Sequence, residues 1–174
     1  SMLKAAVGDR IIEEAFRSNI LSPLGVQRLL DRVVKQLSGG ELQRVAITLC
    51  LARDADIYLL DEPSAYLDIE ERFAVARIVR RTVEERHVYA LIVEHDIVSV
   101  DYISDRTIVF SGDPGVNGHA TQPLEMREGM NMFLKDVGVT FRRDHETKRP
   151  RANKLDSQLD RKQKSIGEYY YMKE

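Results

Sequence analysis

Apolar residues recur along this chain in distinct rhythms, and each rhythm predicts a different element. Between Leu3 and Asn19 they gather near one face, with Ile11, Ile12, Ala15 and Phe16, and the spacing predicts a helix. Ser22-Pro23 fits a second helix start, Ser22 as cap and Pro23 at the first helical position, with Leu24, Leu29 and Leu30 following. After Gly40, Leu42, Val45, Ala46, Leu49 and Cys50 fall at three- and four-residue steps, which predicts a helix ending before Asp54. Ile57-Tyr58-Leu59-Leu60 is a short continuous apolar run, expected to be a central parallel strand buried on both faces, and Val88 to Val93 reads as another buried strand. Between them Asp68 can cap a helix whose buried stripe is Ile69, Phe73, Ala76, Val79 and Val83. A short helix to about Ile103 and a third strand, Thr107 to Phe110, complete a strand–helix–strand–helix–strand order that argues a parallel α/β sheet.

Beyond Gly115 the pattern changes. Residues 118–123 read as a loop, and Met126 to Val137 as a helix carrying Met130, Phe133 and Leu134. Arg142 to Lys164 holds nine Lys/Arg against four Asp/Glu, a net of +5, and few apolar residues, so an extended or partly ordered tail is expected. Tyr169-Tyr170-Tyr171 then brings apolar bulk that a solvated tail does not need, and these rings are expected to dock.

The 174 residues suffice for a domain with a real core, and 43% hydrophobic with 31% charged residues is ordinary for a soluble globular chain. The formal net charge of −2 supplies no global basic field. The single cysteine, Cys50, excludes an internal disulfide and cannot alone hold zinc or an iron–sulfur cluster. Within Ile47-Thr48-Leu49-Cys50-Leu51 it is expected to be a buried, inert thiol. No apolar run approaches the roughly 20 residues that span a bilayer, and no secretory signal opens the sequence, so no membrane is expected among the partners. Ser1-Met2 reads as a cloning remnant, and the chain as a cytoplasmic piece of something longer.

Three clusters carry candidate chemistry. Asp61 and Glu62 lie at the carboxyl end of the first strand, where α/β sheets bind ligands. Asp61 suits Mg²⁺, a hard ion that prefers carboxylate oxygen, and Glu62 suits aligning a water for attack on a γ-phosphate. The alternative is a helix-capping acid pair. His95 follows the next strand on the same sheet edge and can bridge the attacking water and the phosphate, or be a histidine in a turn. Ser38-Gly39-Gly40 opens a helix, where unpaired N–H groups and the dipole favour a phosphate; the alternative is an ordinary serine cap. No G-x-x-x-x-G-K-[ST] phosphate loop occurs in the sequence.

Leu37-Ser38-Gly39-Gly40-Glu41-Leu42-Gln43-Arg44 resembles the signature motif of ATP-binding cassette ATPases. Ile57 to Pro63 resembles their Walker B strand, Ser64-Ala65-Tyr66-Leu67-Asp68 their D-loop, and Val93-Glu94-His95-Asp96 their switch-histidine loop. The wording Asp61 to Asp68 with tyrosine inside, Glu128-Gly129-Met130-Asn131, Phe141-Arg142-Arg143-Asp144, Arg149-Pro150-Arg151-Ala152-Asn153-Lys154 and Gly167-Glu168-Tyr169-Tyr170-Tyr171 is similar to the RNase L inhibitor family, the ribosome-recycling ATPases. That resemblance implies a partial P-loop NTPase fold from the second of two tandem cassettes: a helical signature subdomain (residues 1–55), a Walker B, D-loop and switch-histidine part of the α/β core (56–123), and a helix and hinge tail (124–174).

It further implies ATP and Mg²⁺ as cofactors, with Glu62 and His95 catalytic and Asp61 on the metal. Ser38, Gly39, Gly40 and Glu41 would face ATP held by the first cassette, and Ser64 and Asp68 would cross the seam. The family's iron–sulfur domain has no counterpart in this sequence. Implied partners are the first nucleotide-binding domain, the ribosome and its RNA, and recycling or release factors; the basic stretch 142–154 is either the ribosome contact or a solvated charge run that packs against the other cassette. A dimer of the fragment is a further expectation, as is the absence of ATPase activity without a phosphate loop. The rival readings are a transporter cassette, a coiled-coil DNA-repair ATPase and a non-catalytic interaction fragment.

Overall fold

Helix α3 (Gly39–Leu51) and strand β1 (Ile57–Asp61) form where the apolar pattern places them, and they organise the first half of the chain. The computed structural model describes residues 2–11, 13–144, 146 and 149–171, which divide into two units, one up to Ile103 and one from Ser104 onward. Ser1 and Ile12, on which sequence expectations fell, lie outside the described residues, as do His145, Thr147 and Lys148 of the basic stretch and the side chain of Ile11.

In the first unit β1 pairs in parallel with β2 (Tyr89–Val93), Ile57 opposite Tyr89 and Asp61 opposite Val93. Helix α4 (Ile69–Arg86) connects them and starts at Asp68, whose carboxylate accepts the Glu71 N–H at 2.9 Å. Tyr58 and Leu60 on β1, Val45, Ile47 and Leu51 on α3, and Val75, Ala76, Ile78 and Val79 on α4 form one core with Phe16, Ile20, Leu21, Leu24 and Leu29. Of the expected α4 stripe, Ala76 and Val79 are buried, Phe73 and Val83 half-buried, and Ile69 exposed.

One face of β1 is buried and the matching face of β2, Ala90 and Ile92, is half-buried; the other face of both is exposed. Ile57, Leu59, Tyr89, Leu91 and Val93 are exposed, Leu59 by 69%. The helices on the described core cover the Tyr58–Leu60 side, and the alternation of the pleat leaves the other row bare.

The amino-terminal segment is not one helix. It runs as α1 (Met2–Val7), a 3₁₀ turn (Gly8–Ile11), one turn of α2 (Glu14–Phe16) and a π-helical turn (Arg17–Leu21). Gly8 sits at φ +66°, a conformation that interrupts an α-helix. Ser22 does not cap a helix: it is itself helical, closing the π turn, and Gly25 at φ +64° turns the chain before a 3₁₀ turn at Gln27–Leu29. Leu24, Leu29 and Leu30 are buried nonetheless.

The third strand does not extend the parallel sheet. In the second unit β3 (Arg106–Thr107) and β4 (Phe110–Ser111) pair antiparallel with β6 (Leu124–Glu125) and β5 (His119–Ala120). Gly112 and Gly115, both at positive φ, reverse the chain locally, so β4 meets a strand close in sequence. The last strand of the first unit leads instead into α5 (Ile97–Ile103).

The described residues of the basic tail form regular elements instead of an extended run. β7 (Phe141–Arg143) and β8 (Pro150–Ala152) form an antiparallel pair, and α7 (Gln158–Ile166) follows, capped by Ser157. Its interior is polar: Thr140 donates to Asp160 at 2.6 Å, Asn153 donates to Thr140 at 2.9 Å, and Gln163 donates to the carbonyls of Phe141 and Glu168. Low apolar content therefore does not mean disorder here, because the buried polar groups satisfy one another. The tyrosines dock as expected. Tyr170 and Tyr171 are buried, the Tyr170 N–H donates to Asn131 at 2.8 Å, and the Arg143 guanidinium lies 4.4 Å from the Tyr171 ring centre.

Candidate functional site

Parallel pairing puts the carboxyl ends of β1 and β2 side by side. The ladder continues one residue further, where the Glu62 N–H donates to Val93 O at 2.8 Å. Glu62 has φ +43°, so the chain turns sharply there and leaves its carboxylate exposed. From the end of β2 the His95 ring approaches it, with Nδ1 3.5 Å from Glu62 Oε1. Of the three groups expected at this edge, Glu62 and His95 thus meet directly. Asp61 ends β1 as an exposed carboxylate opposite Val93.

The glycine-containing tip of α3 belongs to the same neighbourhood. Ser38 is an extended N-cap whose hydroxyl accepts the Glu41 N–H at 3.2 Å, while the Glu41 carboxylate accepts the Ser38 N–H at 2.9 Å. This reciprocal cap engages both side chains singled out for nucleotide contact. The Ser38 N–H, then desolvation in opposition, then Arg32 act on the Glu41 carboxyl and on balance hold it below the usual carboxylate range. The first-turn N–H groups of Gly39 and Gly40 have no partner within the helix, as at any helix start.

Gly40 is required by the protein itself. A Cβ there would stand 2.9 Å from the Tyr66 carbonyl oxygen, whereas one at Gly39 would make ordinary contact with the Tyr66 side chain at 3.4 Å. Tyr66 itself has φ +62° and its ring is exposed. The loop from Ser64 to Asp68 is therefore folded onto the tip of α3. Ser64 is buried, and Asp68 is engaged in the cap of α4. A cavity of about 280 Å³ beside this loop is lined by Leu67, Asp68, Arg72, Phe73 and Asp96.

Several residues that shape the site were not singled out from the sequence. Gln43 donates from Nε2 to the Glu62 carbonyl at 3.0 Å. Arg44, nearly buried, reaches the Leu24 carbonyl at 3.1 Å and Glu71 at 3.2 Å, tying α3 to the start of α4. Arg72 donates to the Leu67 carbonyl at 3.0 Å and to Asp96 at 2.5 Å. Glu94 accepts backbone N–H groups from both sides of the site. Gln43 and Arg44 lie inside the signature octapeptide and Glu94 beside His95, so adjacency was the available signal. Arg72 carried none. Cys50 is half-buried rather than buried, and burial pushes its thiol up, so it stays protonated.

The donor set discriminates between metals. Among the described residues no three His, Cys, Asp or Glu side chains stand together as an ion cage. One exposed carboxylate fits Mg²⁺, which takes one or two carboxylates and completes its shell with water and phosphate oxygens. No helix among the described residues is long and apolar enough to cross a membrane.

The family model described as ABC transporter matches residues 6–65. An uncharacterized ABC transporter ATP-binding protein of Methanocaldococcus jannaschii is 58% identical over 159 residues, 91% of this chain and 26% of that relative. Translation initiation factor RLI1 of Chaetomium thermophilum is 50% identical over 91% of this chain and 26% of its own length. A solved structure of archaeal ribosome recycling factor aABCE1, in complex with the archaeal ribosomal stalk protein aP1, superposes with a TM-score of 0.89 at 55% identity, covering 98% of this chain and 33% of that one. The chain thus spans about a quarter to a third of the length of these relatives. With the Ser38-Gly39-Gly40 tip, the acidic strand end and the His95 loop gathered in the first unit, and with the two relatives and the solved structure matching through both units, the chain belongs to the RNase L inhibitor family of ATP-binding cassette ATPases.

Proposed function

We propose that this chain works as part of the second cassette of a tandem ATPase that splits and recycles ribosomes in the cytoplasm. The observation that carries the reading is the Glu62–His95 pair, two side chains 3.5 Å apart at the ends of adjacent parallel strands. Glu62 accepts a hydrogen bond from the attacking water and orients it toward the γ-phosphorus. His95 holds the water and a γ-phosphate oxygen in line. As the new P–O bond forms, the water gives up a proton to the Glu62 carboxylate, the bond to the bridging oxygen breaks, and ADP and inorganic phosphate leave. Asp61 would hold Mg²⁺, which would supply positive charge to neutralise the phosphate oxygens.

Ser38, Gly39, Gly40 and Glu41 face ATP held by the first cassette, with the free N–H groups of the α3 tip directed at its terminal phosphate. Ser64 and Asp68 cross the seam between cassettes. Residues 1–55, 56–123 and 124–174 serve as signature subdomain, catalytic core and hinge tail. ATP shifts the cassettes toward closure because it touches both only in the closed state. The stalk-protein complex of the solved relative supports a ribosomal partner, with release or recycling factors completing the assembly. The transporter reading rests on the family model over residues 6–65 and leaves the second unit unexplained, whereas the recycling-factor match runs over 98% of the chain.

The chain alone, without a phosphate loop, does not turn over ATP. In the full-length protein Glu62→Gln binds ATP, stalls in the closed state and stops releasing phosphate. Normal turnover in that variant, measured as phosphate release, overturns the assignment.

A further inference from the structure

One carboxylate at the site takes no part in the proposed chemistry and caps no helix. Glu94 follows β2, and its side chain is only 3% exposed. Oε2 accepts the Ser64 N–H at 3.3 Å; Oε1 accepts the N–H groups of His95 at 3.0 Å and Asp96 at 3.2 Å. A buried carboxylate persists only when hydrogen-bonded or paired, and here three backbone donors from two segments satisfy it. The His95 and Asp96 bonds are local. The Ser64 bond spans thirty residues and lands on the loop folded against the α3 tip. A second brace joins the same two segments: Arg72 bridges the Leu67 carbonyl and the Asp96 carboxylate.

We propose that Glu94 is a positioning residue that binds the Ser64–Asp68 loop to the His95 loop, so that a displacement at Ser64 moves the His95 ring relative to Glu62. The proposal rests on Glu62 and His95 forming the hydrolytic pair. The geometry makes the transmission direct, because the carboxylate that holds Ser64 also holds the backbone of His95, and its Oε1 is 3.8 Å from His95 Nδ1. When a neighbouring cassette presses on Ser64, the histidine is carried into line; when it withdraws, the histidine swings out.

The test compares Glu94→Ala, Glu94→Gln and Glu62→Gln in the full-length ATPase, measuring kcat, KM for ATP and melting temperature. Glu94→Ala lowers kcat about tenfold to hundredfold, the range expected when a reacting group is misplaced by about an ångström, with KM within about twofold. Glu94→Gln, which keeps one acceptor oxygen, falls between Ala and the native residue. Unchanged kcat in Glu94→Ala, with Glu62→Gln inactive, overturns the positioning role and leaves the hydrolytic pair standing. Turnover surviving in Glu62→Gln overturns the pair and the inference with it. Equal losses of kcat and melting temperature in both Glu94 variants mark plain structural support and also overturn it. Should Glu94→Ala fail to fold, the same kcat-against-KM split in Glu94→Gln decides.

Discussion

The Gln43 side chain donates to the Glu62 carbonyl at 3.0 Å, so the helix that opens with the signature tip is tied to the main chain at the acidic strand end. Glu62 holds a left-handed backbone conformation, which neighbouring contacts must maintain. Gln43→Ala is expected to lower the stability of the first unit by about 1 kcal/mol, the usual net worth of such a bond. Gln43→Glu, which sets a carboxylate against a carbonyl oxygen, is expected to cost more. Urea unfolding followed by hydrogen exchange at β1 and α3 measures both.

Gly39 and Gly40 differ in what they tolerate. Gly40→Ala meets the Tyr66 carbonyl at 2.9 Å and must displace backbone, whereas Gly39→Ala gains ordinary contact with the Tyr66 ring. The expected outcome is a loss of about 1–3 kcal/mol for Gly40→Ala, as for other overpacked sites, and a change within about 0.5 kcal/mol for Gly39→Ala. Equal effects from the two substitutions in a denaturation series would remove the steric explanation.

Helix α6 (Met126–Val137) approaches β3 through Gly129, where a Cβ would stand 1.8 Å from Thr107 Oγ1. That hydroxyl is buried and has no hydrogen-bond partner among the described residues. Gly129→Ala is expected to destabilise the second unit by about 1–3 kcal/mol, and Thr107→Ala to restore part of the loss by removing the obstructing atom. Thr107→Ala alone is expected to be near neutral. A thermal-melt double-mutant cycle reads the coupling.

Asp160 gives the second unit an acid sensitivity. The Thr140 hydroxyl above all, with Lys164 and the Asp156 N–H opposing the cost of burial, holds its carboxyl below the ordinary value of 3.8. A folded value below the unfolded one means the stabilisation is fully present above about pH 4 and is lost as the pH falls through the folded value. Amide exchange in α7 and the β7–β8 pair is expected to accelerate across that window. Asp160→Asn, which turns an N–H₂ toward Lys164 and the Asp156 N–H, is expected to cost about 1–3 kcal/mol at neutral pH and to flatten the acid dependence.

Local rules made part of this protein readable. Period and capping place α3 after Ser38 and α4 after Asp68, and the apolar runs place β1 and β2, because these elements depend on neighbours three or four residues away or on simple strand hydrophobicity. Parallel order then puts Glu62 and His95 on one edge, and their approach to 3.5 Å follows from that topology. The residues 104–171 were less legible. Their antiparallel strands are two or three residues long, and their interior is built from Thr140, Asn153, Asp160 and Gln163, which look solvated until their partners are known.

What the sequence by itself determined is helices α3, α4 and α6, strands β1 and β2, and the family that its motifs spell. Tertiary structure alone decided that Gly40 makes room for Tyr66, that Gln43 braces Glu62, that Glu94 joins two loops, and that one face of the β1–β2 pair stays bare. The reason is physical. Periodicity records which side of an element faces a core, but the burial of a polar group or the need for a missing side chain depends on an atom supplied from far along the chain.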